Sequence, residues 1–211
     1  MTETTNICQN CQKNSNMQGL SPPIIYNYQI FNCLIFPLEE VKNMKNNNLM
    51  QNNNYLQMNP NNIVTIYDCF FYNQKTELFT GENQNYCNLC KQLCDSLYTS
   101  KIYVSPNVLV LILNRGKGNI YNVKLDFTEK IDITDYVLQK ESPKIIYTLY
   151  GVITHIGQSG PSAHFIASCR SPVDFKWYKY NDAFVTEITN FQKEVIEFGT
   201  PYILFYQKVN N

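Results

Sequence analysis

Apolar and polar residues alternate with a period of two along much of this chain, and that period predicts strands. From Ile24 to Phe36, the side chains of Tyr26, Tyr28, Ile30, Leu34 and Phe36 fall on one face, with Asn27 and Gln29 opposite, which predicts one long strand. Leu97 to Val104 predicts another, broken by Pro106. The run Val108-Leu-Val-Leu-Ile-Leu113 predicts a buried central strand ending at Arg115-Gly116, and Tyr121, Val123, Leu125 and Phe127 alternate as a further one. Strands are also expected near Ile145 to Thr154, His164 to Cys169, Phe175 to Tyr180 and Tyr202 to Gln207. The period lengthens at Ile66, Cys69, Phe70 and Asn73, which share one face of a short helix capped by Asn62 or Thr65. Thr134 to Leu138 predicts a helical turn. Strands in hairpin-like succession with few helices indicate an α+β class with a largely antiparallel sheet.

Between Asn43 and Asn62, ten of twenty residues are Asn. That stretch offers too little apolar surface to offset its ordering entropy, so it is expected to be a flexible surface insertion between a strand and a helix. At 211 residues the chain is long enough for one domain, or most of one, with a sizeable core. Lys plus Arg and Asp plus Glu both number 17, which speaks against a nucleic-acid or anionic-membrane partner. The most hydrophobic run spans six residues, far short of a membrane span. Eight cysteines with a polar start and no secretory signal point to a reducing, intracellular setting, cytoplasmic or nuclear.

Two groups of residues carry chemistry. Cys8-Gln-Asn-Cys11 and Cys87-Asn-Leu-Cys90 are C-x2-C knuckles with 75 residues between them. Two residues between thiolates let a tight turn aim both sulfurs at one tetrahedral zinc, so the four are expected to hold a structural Zn with no open position. The long gap suits a ribbon whose knuckles sit at the tips of separate hairpins. Cys33, Cys69, Cys94 and Cys169 fall outside this set and read as small buried apolar residues. The second group is His164, at the head of an apolar run, with Asn181 and Asp182 beyond a Trp177-x-x-Tyr180 return. On antiparallel strands, a side-chain oxygen of the pair would accept from Nδ1–H and leave Nε2 to take a proton. That is the base-plus-orienter part of a nucleophilic triad.

The segments Tyr147-Thr-Leu-Tyr-Gly-Val-Ile-Thr-His155-Ile-Gly, Ala163-His-Phe-Ile-Ala, Trp177 to Val185 and Thr200-Pro-Tyr-Ile-Leu-Phe-Tyr206 together resemble the C-terminal half of the ubiquitin-specific protease catalytic domain, a papain-like deubiquitinase family. Ser105 to Arg115, the Asn114-Arg115-Gly-Lys-Gly118 turn, Asp126 to Asp132 and the two knuckles extend the resemblance over most of the chain. It implies zinc-ribbon fingers over residues 1–104, with the Asn-rich insertion at 43–62, and a palm with the His box over 105–211. It further implies His164 as general base, Asn181 as orienter, Asp182 as an auxiliary polar neighbour, and ubiquitin with ubiquitinated proteins as partners. His155 is expected in a loop near the site without a triad role, within a Gly151 to Ala163 loop beside the channel for ubiquitin's Gly-Gly tail.

Two departures from the family pattern matter. The family's nucleophile lies in a Gly-Asn-Thr-Cys-Tyr box, and nothing here reads that way. Asn32-Cys33 is the nearest echo, within the predicted long strand and without the glycine. The chain is therefore expected to be a C-terminal piece of the protease domain, inactive alone. The other departure is Ala163, where the family has Gly before the His. A non-catalytic ubiquitin-binding module and a zinc-ribbon scaffold stand as the alternatives.

Overall fold

In the computed structural model, which describes residues 1–51, 63–116, 123–157 and 164–209, the chain divides into two discontinuous units. The first comprises Met1–Phe31, Asn73–Ser105 and Asp135–Glu141, and the second Asn32–Tyr72, Pro106–Thr134 and Ser142–Asn211. The 105/106 division lies close to the expected fingers–palm boundary. The described residues of 32–72, which the sequence pattern groups with the fingers, cluster with the second unit.

In chain order, β1 (Thr2–Cys8) is followed by α1 (Gln9–Met17), β2 (Ile25–Gln29), β3 (Leu34–Pro37) and α2 (Leu38–Gln51). Then come β4 (Val64–Thr65), α3 (Ile66–Asn73), β5 (Glu77–Phe79), β6 (Asn85–Cys87), β7 (Gln92–Cys94) and β8 (Ser96–Ile102). The remaining strands are β9 (Val108–Asn114), β10 (Leu125–Asp126), β11 (Lys130–Asp132), β12 (Ile146–Ile156), β13 (His164–Arg170), β14 (Trp177–Asn181), β15 (Phe184–Ile188) and β16 (Thr200–Lys208).

The first unit holds a four-stranded sheet in the order β2-β1-β8-β5 and the separate β6–β7 hairpin. In the second unit the main sheet runs β15-β14-β13-β12-β16-β9-β3, with β11 also on β12. The ladders are antiparallel except for the short β3–β9 and β4–β10 pairs. The α+β class with mostly antiparallel sheet is as the alternation implied. Along β9, Leu109, Leu111 and Leu113 are fully buried while Val108 and Asn114 are exposed, the expected period of two. This strand is flanked on both sides but lies one place from the sheet edge, not at its centre.

The predicted strand from Ile24 to Phe36 is two strands in different sheets, β2 against β1 and β3 beside β9, with a break at residues 30–33. The apolar positions on either side of the break share one parity, and the lapse at Phe31-Asn32-Cys33 is the only local sign of it. The Asn-rich stretch also needs correcting. Residues 43–51 continue α2, which is anchored upstream by the fully buried Leu38 and Val41 and carries Glu39 and Glu40 in its first turn, where carboxylates complement the helix dipole. Residues 52–62 lie outside the described residues.

Helix α3 is capped by Thr65, one of the two caps expected. The Asp68 carboxylate accepts from Thr65 N–H at 2.8 Å, and Asp68 N–H donates to Thr65 Oγ1 at 3.1 Å, a reciprocal cap with Asp in the place usually held by Glu. Lys45 Nζ donates to the same carboxylate at 2.7 Å, fixing α2 to the start of α3. Helix α1, strand β15 and a π-helical turn at Gln192–Ile196 have no counterpart in the sequence reading. Between Val123 and Phe127, only Leu125–Asp126 form a strand. Tyr121 is outside the described residues.

Candidate functional site

At one end of the main sheet, β12 and β13 pair so that Ile156 lies opposite His164, and β13 pairs with β14 through Ala167 opposite Tyr180. This register brings Asn181, the last residue of β14, diagonally to the start of β13. His164 and Asn181 meet there, with Nε2 of the imidazole 2.6 Å from Asn181 Oδ1. An amide oxygen only accepts, so Nε2–H donates and Nδ1 keeps its lone pair. The sequence reading placed the oxygen on Nδ1, and the geometry reverses the two nitrogens. Register brings the two side chains together, the torsion of the His164 ring sets which edge meets Asn181, and no local sequence feature encodes that.

Asp182 and Ala183 form the two-residue link between β14 and β15. Asp182 has φ 51°, a left-handed conformation that Asp tolerates in such turns. Its Oδ2 lies 3.8 Å from His164 Nε2, and its side chain is 79 % exposed against 38 % for His164. Asp182 is thus a solvated neighbour of the ring, and Asn181 its close partner.

His155 is in strand β12, not in a loop, and is buried. It pairs with Phe165 and packs against that ring edge-on at 5.1 Å. Directly opposed residues share a face and consecutive residues alternate, so His155 and His164 project from opposite faces of the sheet. The expected Gly151 to Ala163 loop is likewise strand as far as Ile156. Gly157, with φ 97°, follows directly, while Gly160 and Ala163 fall outside the described residues. Arg115, which directly follows β9, is buried, and its Nε donates to Pro201 O at 2.8 Å, tying the end of β9 to the start of β16.

Cys33 sits half-buried in the break between β2 and β3, not within a strand. Cys69 is fully buried on α3, and burial pushes its thiol up to about 12. Cys169 on β13 is half-buried, and burial raises it as well.

The four knuckle cysteines come together in the first unit. Cys8 ends β1 and precedes α1, a helix whose start has no side-chain cap, so the Cys8 sulfur is not used in capping. Cys11 follows in the first turn of α1. This knuckle is therefore a strand-to-helix junction, where a hairpin tip was expected. Cys87 ends β6, and Cys90 lies in the turn to β7, which is the expected hairpin tip. In that turn Cys90 N–H points at Cys87 Sγ at 3.5 Å, and Lys91 N–H donates to Cys87 O at 2.8 Å.

All four sulfurs lie within 4.8 Å of one another, with Cys8–Cys90 at 3.8 Å, Cys11–Cys87 at 3.6 Å and Cys11–Cys90 at 3.5 Å. A tetrahedral ion with metal–sulfur bonds of about 2.3 Å sets sulfurs about 3.8 Å apart, so the group has the dimensions to hold one. Burial pushes Cys11 up to about 11, and the sulfur contact with Cys11 raises Cys90. Backbone N–H groups of Cys90 and Leu89 hold Cys87 down, at about 7. Crowded buried thiols resist ionisation one after another, and a dication removes that resistance by neutralising the thiolates.

A family model described as ubiquitin carboxyl-terminal hydrolase matches residues 1–206. Ubiquitin carboxyl-terminal hydrolase 17-like protein B of Mus musculus is 33 % identical over 143 residues, covering 65 % of this chain and 29 % of that protein. Ubiquitin carboxyl-terminal hydrolase 12 of Saccharomyces cerevisiae is 29 % identical over 207 residues, covering 95 % of this chain and 15 % of that protein. The chain thus spans less than a third of the length of these relatives. Among solved structures, the SAGA Ubp8/Sgf11/Sus1/Sgf73 DUB module bound to ubiquitin aldehyde aligns with a TM-score of 0.66 at 22 % identity, over 99 % of this chain and 41 % of that one. At that identity the likeness concerns the fold.

Proposed function

The chain belongs to the ubiquitin carboxyl-terminal hydrolase family, and from that premise we propose that it supplies a base and its orienting residue to a cysteine-type hydrolysis of the bond after ubiquitin's C-terminal glycine. The observation that carries this reading is the 2.6 Å contact between His164 and Asn181. With Asn181 accepting from Nε2–H, Nδ1 is the atom that takes the proton of a thiol. The thiolate attacks the carbonyl, and the proton passes from Nδ1 to the leaving amine as the carbon–nitrogen bond breaks. Water, deprotonated by the same atom, then hydrolyses the thioester. Asn181 fixes the ring without adding a charge, as in Cys-His-Asn sites. The Asp182 carboxylate, 3.8 Å away and well solvated, stands beside the ring as an auxiliary polar neighbour.

The thiol in this proposal comes from outside the chain. Cys69 and Cys169 are raised by burial, opposite to what a nucleophile needs, and Cys33 lacks a helix N-terminus that would favour a thiolate. We take the metal of the first unit to be zinc, held by Cys8, Cys11, Cys87 and Cys90, whose four thiolates leave no open position for substrate. Its part is structural, pinning the end of β1 and the start of α1 to the β6–β7 hairpin. Ubiquitin and ubiquitinated proteins are the proposed partners, supported by the yeast DUB module bound to ubiquitin aldehyde. A reducing cytoplasmic or nuclear setting suits eight free thiols.

The test gives the full chain a fluorogenic ubiquitin substrate and a ubiquitin probe with a thiol-reactive C-terminus, with and without a separate segment carrying a Gly-Asn-Thr-Cys-Tyr box. No turnover alone, turnover on addition, and its loss in His164→Ala are expected. Turnover by the chain alone, with the probe on Cys33 or Cys169, would overturn the assignment.

A further inference from the structure

We propose that Cys94 is a fifth thiol of the metal centre, a reserve ligand that replaces Cys90 when that position is lost. The inference rests on the reading of Cys8, Cys11, Cys87 and Cys90 as a metal site. Two strand registers converge on Cys94. In the β6–β7 ladder, Asn85 pairs with Cys94 and Cys87 with Gln92, so Cys87 and Cys94 share a face one diagonal step apart. In the first sheet Cys8 pairs with Ser96, and Gln9 N–H donates to Asp95 O at 2.9 Å, which sets Cys94 beside the β1 end of the site. Cys94 is 2 % exposed and is buried in one cluster with Cys8, Cys11 and Cys87, against which Cys90 packs.

Its sulfur is furnished as a ligand's would be. Asn10, between the ligands Cys8 and Cys11, donates its amide Nδ2–H to Cys94 Sγ at 3.5 Å, which holds that sulfur against the first knuckle. The Cys94 S–H in turn donates weakly to Gln92 O at 3.6 Å. Cys94 is not among the four sulfurs that all lie within 4.8 Å, so the tetrahedron is complete without it and it enters only by exchange. Cys90 is the ligand to leave. It is the one member of the four that is only partly buried, and it lies in the β6–β7 turn, where the next residue, Lys91, has φ 57°. A merely space-filling Cys94 requires neither the Asn10 donor nor a shared face with Cys87.

The probe is Co(II) on the full chain, because the intensity of its thiolate charge-transfer band reports the number of bound sulfurs, with Zn(II) competition giving relative affinity. Wild type and Cys94→Ser should show the four-thiolate band. Cys90→Ser should keep that band with less than about tenfold loss of affinity, whereas Cys90→Ser/Cys94→Ser should fall to a three-thiolate band and bind at least about tenfold more weakly still. Alanine versions of the same variants should give the same order, removing the serine hydroxyl as a substitute ligand. A three-thiolate band already in Cys90→Ser, with no further loss in the double variant, overturns the proposal. A wild-type chain that binds neither metal overturns the metal site itself, and the proposal with it.

Discussion

Gly199 should tolerate no side chain, and its substitution separates two costs that are often confounded. The residue has φ +62°, where an L side chain strains its own backbone by about 1 kcal/mol. A Cβ there would also meet Thr154 Cγ2 at 2.6 Å, with His155 O and Ile156 Cγ2 both at 3.3 Å. Thr154 is buried and β-branched on a paired strand, so its methyl has little room to yield, and overpacking of this kind costs about 1–3 kcal/mol. Gly199→Ala is therefore expected to lose about 2–4 kcal/mol in total. Gly81, with φ +59° and nothing within 4 Å of its Cβ position, is the control: Gly81→Ala should lose only the backbone cost, about 1 kcal/mol. Urea unfolding read by the lone Trp177, which lies in the same unit as Gly199, should show the midpoint falling by about 1–2 M for an m-value near 2 kcal/mol/M. Circular dichroism reads Gly81→Ala. The strand that Gly199→Ala would displace, β12, pairs through Ile156 with His164, so Gly199→Ala should also disturb the His164–Asn181 contact in imidazole NMR. Equal losses at Gly199 and Gly81, or a loss at Gly199 under about 1 kcal/mol, would refute the steric argument.

Chelation should strip one metal ion per chain and selectively melt the first unit, with Cys8→Ser doing the same at any chelator concentration; elemental analysis and thermal melting read both. Asn181→Ala should release the Nε2–H tautomer of His164, seen as a mixed-tautomer pattern in imidazole nitrogen shifts where wild type shows one form. Asp174 accepts from Tyr178 OH at 2.6 Å, and this bond above all holds its carboxyl down at about 2, against 3.8 ordinarily. A depressed folded-state value means its contribution is present above the unfolded value and lost as pH falls toward 2, so Asp174→Asn should flatten that part of the acid-stability curve.

The two C-x2-C knuckles, the burial rhythm of β9 and the pairing of His164 with Asn181 were legible in the residues themselves. Each rests on short-range spacing: two residues between thiolates, alternate residues on a strand, a hairpin return across Trp177. The tertiary structure decided the rest. Matching parity on the two sides of Phe31-Asn32-Cys33 hid a change of sheet, because a period records which face a residue takes and not which strand lies beside it. Two buried residues at the start of α2 carried helix into a stretch whose composition argued against structure. Which face of the sheet His155 takes relative to His164 follows from the β12–β13 register, and which imidazole nitrogen faces Asn181 from the ring torsion that packing sets. Spacing brings residue types within reach of one another, but only the long-range ladder, fixed by burial of one sheet face, sets the atoms that meet.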